Sequence, residues 1–220
     1  MLFIPYGRSD HDRWVAEVRR ALGIPLRSAH EELRPATAIA EAQCILVGGG
    51  NTFMLLDALY ALGVISVLRE RIFLSKTRYV GFGSGTAIAS PSIRTALDSP
   101  VVEPPSFLAL SLLPFQVLTH FDDAHPATSL TAGESCSCDV QRRVGEFHEV
   151  SSVPVLGLRE GSHLHIEQET CRVLGPRGAV LYLHGETREV APTENVSYLL
   201  RTIGEYDVRT SNFRPLQAER

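Results

Sequence analysis

The sequence has few cysteines, no excess of basic charge and no long hydrophobic run. Four cysteines in 220 residues are too few for a disulfide-stabilised scaffold, which predicts a reducing compartment. A net charge of −4 does not suit nucleic-acid binding. The longest nearly apolar stretch, 107–118, contains polar residues and is too short to span a membrane. With no secretory signal pattern at the N-terminus, these features predict a soluble cytoplasmic protein without nucleic-acid or membrane partners.

Hydrophobic periodicity predicts strands that alternate with helices along most of the chain. Strands are predicted at 2–4, 44–47, 79–80, 115–120 and 154–158, and helices near 10–22, 36–42, 53–62, 64–73 and 140–150. Short strands near 163–166, 171–174 and 180–183 follow. This order predicts an α/β fold with a mostly parallel sheet sandwiched by helices and small β hairpins near the C-terminus. The polar segment 122–138 is predicted to be a long surface loop.

A strand, a glycine-rich turn and a helix follow one another at 79–90, where the sequence is YVGFGSGTAIAS. This is the pattern of a nucleophile elbow, in which Gly-x-Ser-x-Gly places a serine at the strained tip. The glycine frame puts Gly83 at the tip, with Gly85 closing the frame, and both glycines are candidates for oxyanion or substrate binding. Ser84 comes one residue later than the pattern requires. It is nevertheless the candidate nucleophile.

A second glycine-rich loop, GGGNT at 48–52, lies between the strand 44–47 and the helix 53–62. Backbone N–H groups in such a loop can face an anion, which makes Gly49, Gly50 and Asn51 candidates for oxyanion or substrate binding. The alternative is a tight turn in which Asn51 caps the following helix. The spacing matches neither the P-loop nor the dinucleotide-binding pattern, so both interpretations stay open.

Two further polar residues fall at the ends of predicted strands, where open α/β sheets place their sites. The order Ser84, His120, Glu160 suits a nucleophile, a general base and a carboxylate that orients the imidazole. The alternatives are a structural histidine and a solvated turn residue. Cys136 and Cys138 lie near two histidines, but they lack the second cysteine pair that is typical of a structural zinc site.

Several motifs, in order along the chain, resemble the peptidase E family of aspartyl dipeptidases. They are LFIPY at 2–6, ILVGGGNTF at 45–53, SPSIRT at 90–95, DSPVV at 98–102, the stretch 107–120 and GLREG at 157–161. The resemblance implies a glutamine-amidotransferase-like (flavodoxin-like) α/β sandwich that cleaves peptides after an N-terminal aspartate. It also implies a homodimer and no metal or organic cofactor.

The same resemblance assigns the family's site residues to positions of this chain. The serine of the family falls on Gly83, its histidine on His120 and its triad carboxylate on Glu160, while Asp98 matches a further acidic candidate. The sequence is therefore interpreted as a serine-type peptidase that hydrolyses dipeptides or short peptides through Ser84, His120 and Glu160. The alternative is an inactive homologue that binds a small acidic ligand or peptide.

The chain departs from the family pattern in two further respects. At 133–136 a cysteine, Cys136, replaces the arginine of a Gly-Glu-Thr-Arg motif that grips the substrate aspartate, which leaves the aspartate preference open. The sequence Gly-Glu-Thr-Arg does occur at 185–188, where it is interpreted as a turn that matches the motif by chance. The chain is expected to begin about one βα unit late, and to form one domain over 1–200 with a C-terminal extension over 201–220.

Overall fold

A computed structural model describes residues 1–75, 77–121 and 137–201 of the chain. The chain divides into two compact units, Met1–Leu112 and Leu113–Arg220. Each unit carries its own hydrogen-bonded sheet.

The first unit is built on a four-stranded parallel sheet in the order β2-β1-β3-β4. The strands are β1 (Leu2–Ile4), β2 (Arg27–Ser28), β3 (Cys44–Val47) and β4 (Arg78–Gly81), and the helices are α1 (His11–Leu22), α2 (Pro35–Glu41), α3 (Thr52–Ala61), α4 (Ile65–Leu74) and α5 (Ser84–Ala87). Because neighbouring strands are parallel, their carboxyl ends lie at one edge of the sheet. The loops after β1, β3 and β4 therefore share that edge.

Alternation along β1 and β3 gives the sheet two apolar faces. Phe3 and Leu46, paired in register, face Val15 and the partly buried Trp14 of α1. The residues on either side of them belong to the larger core, which is filled from α2, α3 and α4. Burial of both faces is expected for a parallel sheet covered by helices, and it explains why β3 is an unbroken apolar run.

The helix ends follow the local sequence signals. The Asp10 carboxylate accepts a hydrogen bond from Arg13 N–H at 3.0 Å at the start of α1, and Gly23 ends that helix in the left-handed conformation.

Among the described residues no single helix is long and apolar enough to cross a membrane. The helices α3 and α4 meet that requirement only together, as a pair bent by 95°, and only by length and composition.

The second unit has a mixed four-stranded sheet and a separate hairpin. The sheet order is β10-β9-β6-β5, in which β5 and β6 are parallel and the other neighbours are antiparallel. The strands are β5 (Gln116–Phe121), β6 (Val155–Arg159), β9 (Ala179–Leu183) and β10 (Glu186–Val190), the hairpin is β7 (His163–Glu167) with β8 (Thr170–Leu174), and the helix is α6 (Ser137–His148).

The predicted α/β class, with small antiparallel strands near the C-terminus, is confirmed. Two strands were not predicted. β2 is only two residues long, and β10 is mostly exposed and charged, so neither forms an apolar run. The helix α6 begins at Ser137, before the predicted start at 140. The rest of the predicted loop 122–138 and the predicted extension 201–220, apart from Arg201, lie outside the described residues.

One buried histidine makes the stability of the second unit depend on pH. His148, at the end of α6, places Nε2 3.1 Å from the Val153 carbonyl oxygen and stacks on His184. Burial is the main cause that lowers the pKa of His148; the Val153 hydrogen bond opposes it and His184 adds to it. The folded state therefore favours neutral His148. Its contribution to stability is complete above the ordinary histidine pKa of about 6.5 and is lost as pH falls toward the lowered folded value.

Urea unfolding at pH 7.5 and pH 5.5 tests this linkage. We expect the free energy of unfolding to fall on acidification, and to fall less in a His148→Gln variant, which cannot titrate at this position. His165→Gln, at an exposed position on β7, is the matched control. Its free energy of unfolding should fall by the same amount as that of the original protein. An equal loss in the original protein and in His148→Gln would contradict the assignment.

Candidate active site

The turn between β4 and α5 has the sharp geometry of an elbow. Gly83 has φ 50° and ψ −116°, a conformation that glycine adopts freely and that strains residues with a Cβ. Gly85 N–H donates to the Phe82 carbonyl oxygen at 2.9 Å, and Thr86 N–H donates to the Gly83 carbonyl oxygen at 2.8 Å. Strand, tight turn and helix thus follow as the sequence predicts, with a glycine at the tip.

Ser84 does not point its hydroxyl outward from this tip. Ser84 is only 3% exposed, and its Oγ lies 3.5 Å from the carbonyl oxygen of Gly48, the residue directly after β3. That distance is at the outer limit of a hydrogen bond, so the contact holds the hydroxyl weakly. Ser84 would have to turn its hydroxyl away from Gly48 before it could attack a substrate.

The elbow packs against β3 backbone to backbone. A Cβ on Gly85 would lie 2.2 Å from the Val47 carbonyl oxygen, which is impossible without a backbone shift. A Cβ on Gly49 would lie 3.2 Å from the Phe82 carbonyl oxygen. The glycines of both loops therefore allow the elbow and the loop after β3 to approach each other closely.

Asn51 fixes the glycine loop to α3 and to the loop after β1. Its side-chain oxygen accepts from the N–H groups of Phe53 and Met54, at 3.0 and 3.1 Å, so the N-cap interpretation is confirmed. Its own N–H donates to the Gly7 carbonyl oxygen at 2.7 Å. Gly7 was not singled out from the sequence, although a glycine directly after an apolar strand and a Pro-Tyr pair is a turn signal.

These contacts limit which backbone amides can meet an oxyanion. The backbone N–H groups of Asn51 and Gly85 already donate hydrogen bonds, to the carbonyl oxygens of Gly7 and Phe82. Among the described residues at this edge of the sheet, the amides of Gly49, Gly50, Gly83 and Ser84 remain as candidates. The residue after the tip of an elbow is the one whose N–H contributes to an oxyanion hole.

Asp98 lies at the N-terminus of α3. Its Oδ2 accepts from Thr52 N–H at 2.9 Å, and the Thr52 hydroxyl donates to the same oxygen. A carboxylate in this position is also favoured by the helix dipole. Asp98 therefore has a clear structural part in the first unit, where it holds the start of the helix that follows the glycine loop.

His120 and Glu160 come together in the second unit. His120 Nδ1 lies 3.1 Å from Glu160 Oε2, and both side chains are largely exposed. His120 has φ 56°, and the pairing of β5 with β6 shifts register between Leu118 and Phe121. Bulges and positive φ values at non-glycine residues often re-aim side chains at functional sites. Because Glu160 holds Nδ1, Nε2 is the ring nitrogen available for proton transfer.

The predicted site residues thus form two groups. The first unit holds the elbow and the glycine loop with Asp98, and the second holds the His120–Glu160 pair. In the described part of the chain no cluster of three or more metal-ligating side chains is present. Cys136 lies outside it.

The Gly-Glu-Thr-Arg sequence at 185–188 spans the turn between β9 and β10 and the start of β10. Gly185 has φ 82° in the turn, as expected, and the following residues continue as a strand. Arg188 donates to Glu194 at 2.7 Å and to the Tyr198 hydroxyl, so it is engaged within its own unit. On α6, Arg142 forms an exposed ion pair with Glu146.

Comparison with known proteins identifies the class and then the family. A crystal structure of a peptidase from an acI-B1 actinobacterium shares the fold at a TM-score of 0.60, with 15% identity over 89% of this chain and 82% of that one. A peptidase E of Streptomyces coelicolor is 42% identical over 96% of this chain and 86% of its own length. A probable alpha-aspartyl dipeptidase of Drosophila melanogaster is 40% identical over 91% and 83%.

The fold places the protein among α/β proteins that share the architecture of that crystal structure. The model of peptidase family S51 matches residues 1–174. The chain belongs to peptidase family S51, and the family predicted from its motifs is confirmed.

Removing the Asp98 carboxylate tests its part at the start of α3. We expect Asp98→Ala to lower the free energy of unfolding by about 0.5–2 kcal/mol, the usual effect of losing a helix cap. Asp57→Ala, within the same helix, is the control and should cost less because it removes no cap. Chemical denaturation of the three proteins measures the difference. Equal losses would show that Asp98 does not hold the helix.

Proposed function

We propose that this protein is a serine-type peptidase of the peptidase E kind that hydrolyses dipeptides or short peptides. The observation that carries the proposal is the His120–Glu160 pair at the ends of the adjacent strands β5 and β6, in a chain of peptidase family S51. His120 Nδ1 lies 3.1 Å from Glu160 Oε2. A carboxylate that holds one ring nitrogen fixes the tautomer and orientation in which the other nitrogen can act as a base. Peptides with an N-terminal aspartate are the first substrates to test, because a relative carries the name alpha-aspartyl dipeptidase.

In the proposed reaction Ser84 Oγ attacks the scissile carbonyl while His120 Nε2 takes its proton. Glu160 stabilises the imidazolium that forms. The amides of Gly49, Gly50 and Ser84 are the proposed donors to the tetrahedral oxyanion. His120 then returns the proton to the leaving amine, and a water repeats the sequence to release the acyl group. Asp98 and Asn51 contribute indirectly, because they hold the start of α3 and the glycine loop in position.

The reaction requires Ser84 to leave its position beside Gly48. Its contact with the Gly48 carbonyl is 3.5 Å long, so rotation of the hydroxyl gives up little hydrogen-bond energy. The larger requirement is geometric, since a nucleophile must come within about 2.6–3.2 Å of its base. Gly83 can supply part of this adjustment because its backbone conformation is unrestricted by a side chain.

A second candidate function is binding without turnover. The observation that favours it is the elbow itself, where Gly83 offers no hydroxyl at the tip and Ser84 is buried. An elbow of this kind keeps its backbone amides and can still hold a small acidic ligand or a peptide. Homodimer formation, a single domain over 1–200 and a cytoplasmic location remain parts of the proposal that rest on the sequence.

A fluorophosphonate probe with mass-spectrometric mapping separates the two functions. For a peptidase we expect an adduct on Ser84, loss of the adduct in His120→Ala, and at least about 10⁴-fold slower dipeptide hydrolysis in Ser84→Ala. The matched control is the double variant Gly83→Ser with Ser84→Ala, which moves the hydroxyl to the tip. Labelling and hydrolysis confined to the double variant would reject the peptidase function of the natural chain.

A further inference from the structure

Arg8 lies directly beside the glycine loop of the first unit. A Cβ on Gly50 would lie 3.0 Å from Arg8 Cγ, so the side chain begins against the loop. Its guanidinium carbon lies 3.7 Å from the centre of the Trp14 ring. Trp14 in turn touches the start of the loop, because a Cβ on Gly48 would lie 2.7 Å from its Nε1. The arginine thus runs along the same sheet edge as the amides of Gly49 and Gly50.

The positive charge of Arg8 is only weakly neutralised. Its ion pair with Glu17 is 3.4 Å long, and the Arg8 side chain is 48% exposed. Glu17 also receives a shorter bond, at 3.1 Å, from Arg13. Two arginines therefore share one carboxylate at the surface. Exposed pairs of this length contribute little, so another carboxylate can replace Glu17 at Arg8.

The guanidinium is also held in a position suited to a ligand. Stacking on the Trp14 ring restricts the plane of the guanidinium. A guanidinium fixed in this way loses less freedom when it binds a carboxylate through two parallel hydrogen bonds. The N-terminus of α3 is already occupied by Asp98, so it does not provide the positive charge that would attract a ligand carboxylate. Arg8 provides that charge.

We propose that Arg8 binds a carboxylate of the peptide substrate next to the amides of Gly49 and Gly50, and so determines a preference for acidic peptides. The inference rests on the proposed function for its class of ligand. The carboxylate can come from an acidic N-terminal side chain or from the C-terminus of a dipeptide. The chemistry at Arg8 is the same in both cases, and the experiment distinguishes them.

Three peptides separate the two sources of the carboxylate. Asp-Leu carries both groups, Asn-Leu lacks the side-chain carboxylate, and Asp-Leu amide lacks the C-terminal one. If the protein hydrolyses them, kcat/KM is compared. If it does not, calorimetry gives Kd, and fluorescence of Trp14, the single tryptophan of the chain, reports binding beside Arg8.

We expect the original protein to prefer Asp-Leu over one of the two analogues by about 10- to 100-fold, the usual effect of a hydrogen bond to a charged group. Arg8→Met should abolish that preference, and Arg8→Lys should retain part of it because the charge remains. Arg13→Met is the matched control, since it removes an exposed arginine that pairs with the same Glu17. It should leave the preference unchanged.

The outcomes decide the inference and the proposed function separately. Discrimination that persists in Arg8→Met, or its absence from the original protein, overturns the role of Arg8. Discrimination in binding that depends on Arg8, without hydrolysis of any peptide, supports Arg8 and rejects the peptidase activity. Hydrolysis with equal rates for the three peptides supports the activity and rejects Arg8. If the protein neither binds nor hydrolyses any of the three peptides, both the role of Arg8 and the peptidase activity are rejected.

Discussion

Three loops of the first unit meet backbone to backbone at the carboxyl ends of β1, β3 and β4. A Cβ on Gly50 would lie 2.1 Å from the Gly7 carbonyl oxygen, and a Cβ on Gly85 would lie 2.2 Å from that of Val47. These distances exclude side chains and make glycine a requirement at both positions. The close approach brings uncommitted backbone amides and the Arg8 side chain to one edge of the sheet. The proposed chemistry depends on that edge.

The same constraint limits what the elbow can offer. A glycine at position 83 relieves the strain of a positive φ, and with it the tip loses the side chain that a nucleophile elbow presents. Ser84 retains the backbone amide that follows the tip, while its hydroxyl faces the Gly48 carbonyl. The proposed reaction therefore requires the Ser84 hydroxyl to leave that contact and to reach both the substrate and its base.

Much of the architecture could be predicted because local signals agree with the fold. The run 44–47, the cap at Asn51 and the stop at Gly23 each match the structure. The direction of the Ser84 hydroxyl could not be predicted, because order along the chain does not fix where a side chain points. The bulge at His120 depends on strand register, and the bond from Asp98 to Thr52 spans 46 residues, so neither leaves a local signal. The short or polar strands β2 and β10 form through pairing with neighbours.

A crystal structure of the protein with a bound peptide boronic acid tests the account most directly, since boronates form tetrahedral adducts with nucleophilic serines. The account predicts boron bonded to Ser84 Oγ, one boronate oxygen within hydrogen-bond distance of the Gly49 or Gly50 amide, and His120 Nε2 beside the adduct. A boronate bound without a covalent bond, with the Ser84 hydroxyl still against the Gly48 carbonyl, would contradict the proposed nucleophile.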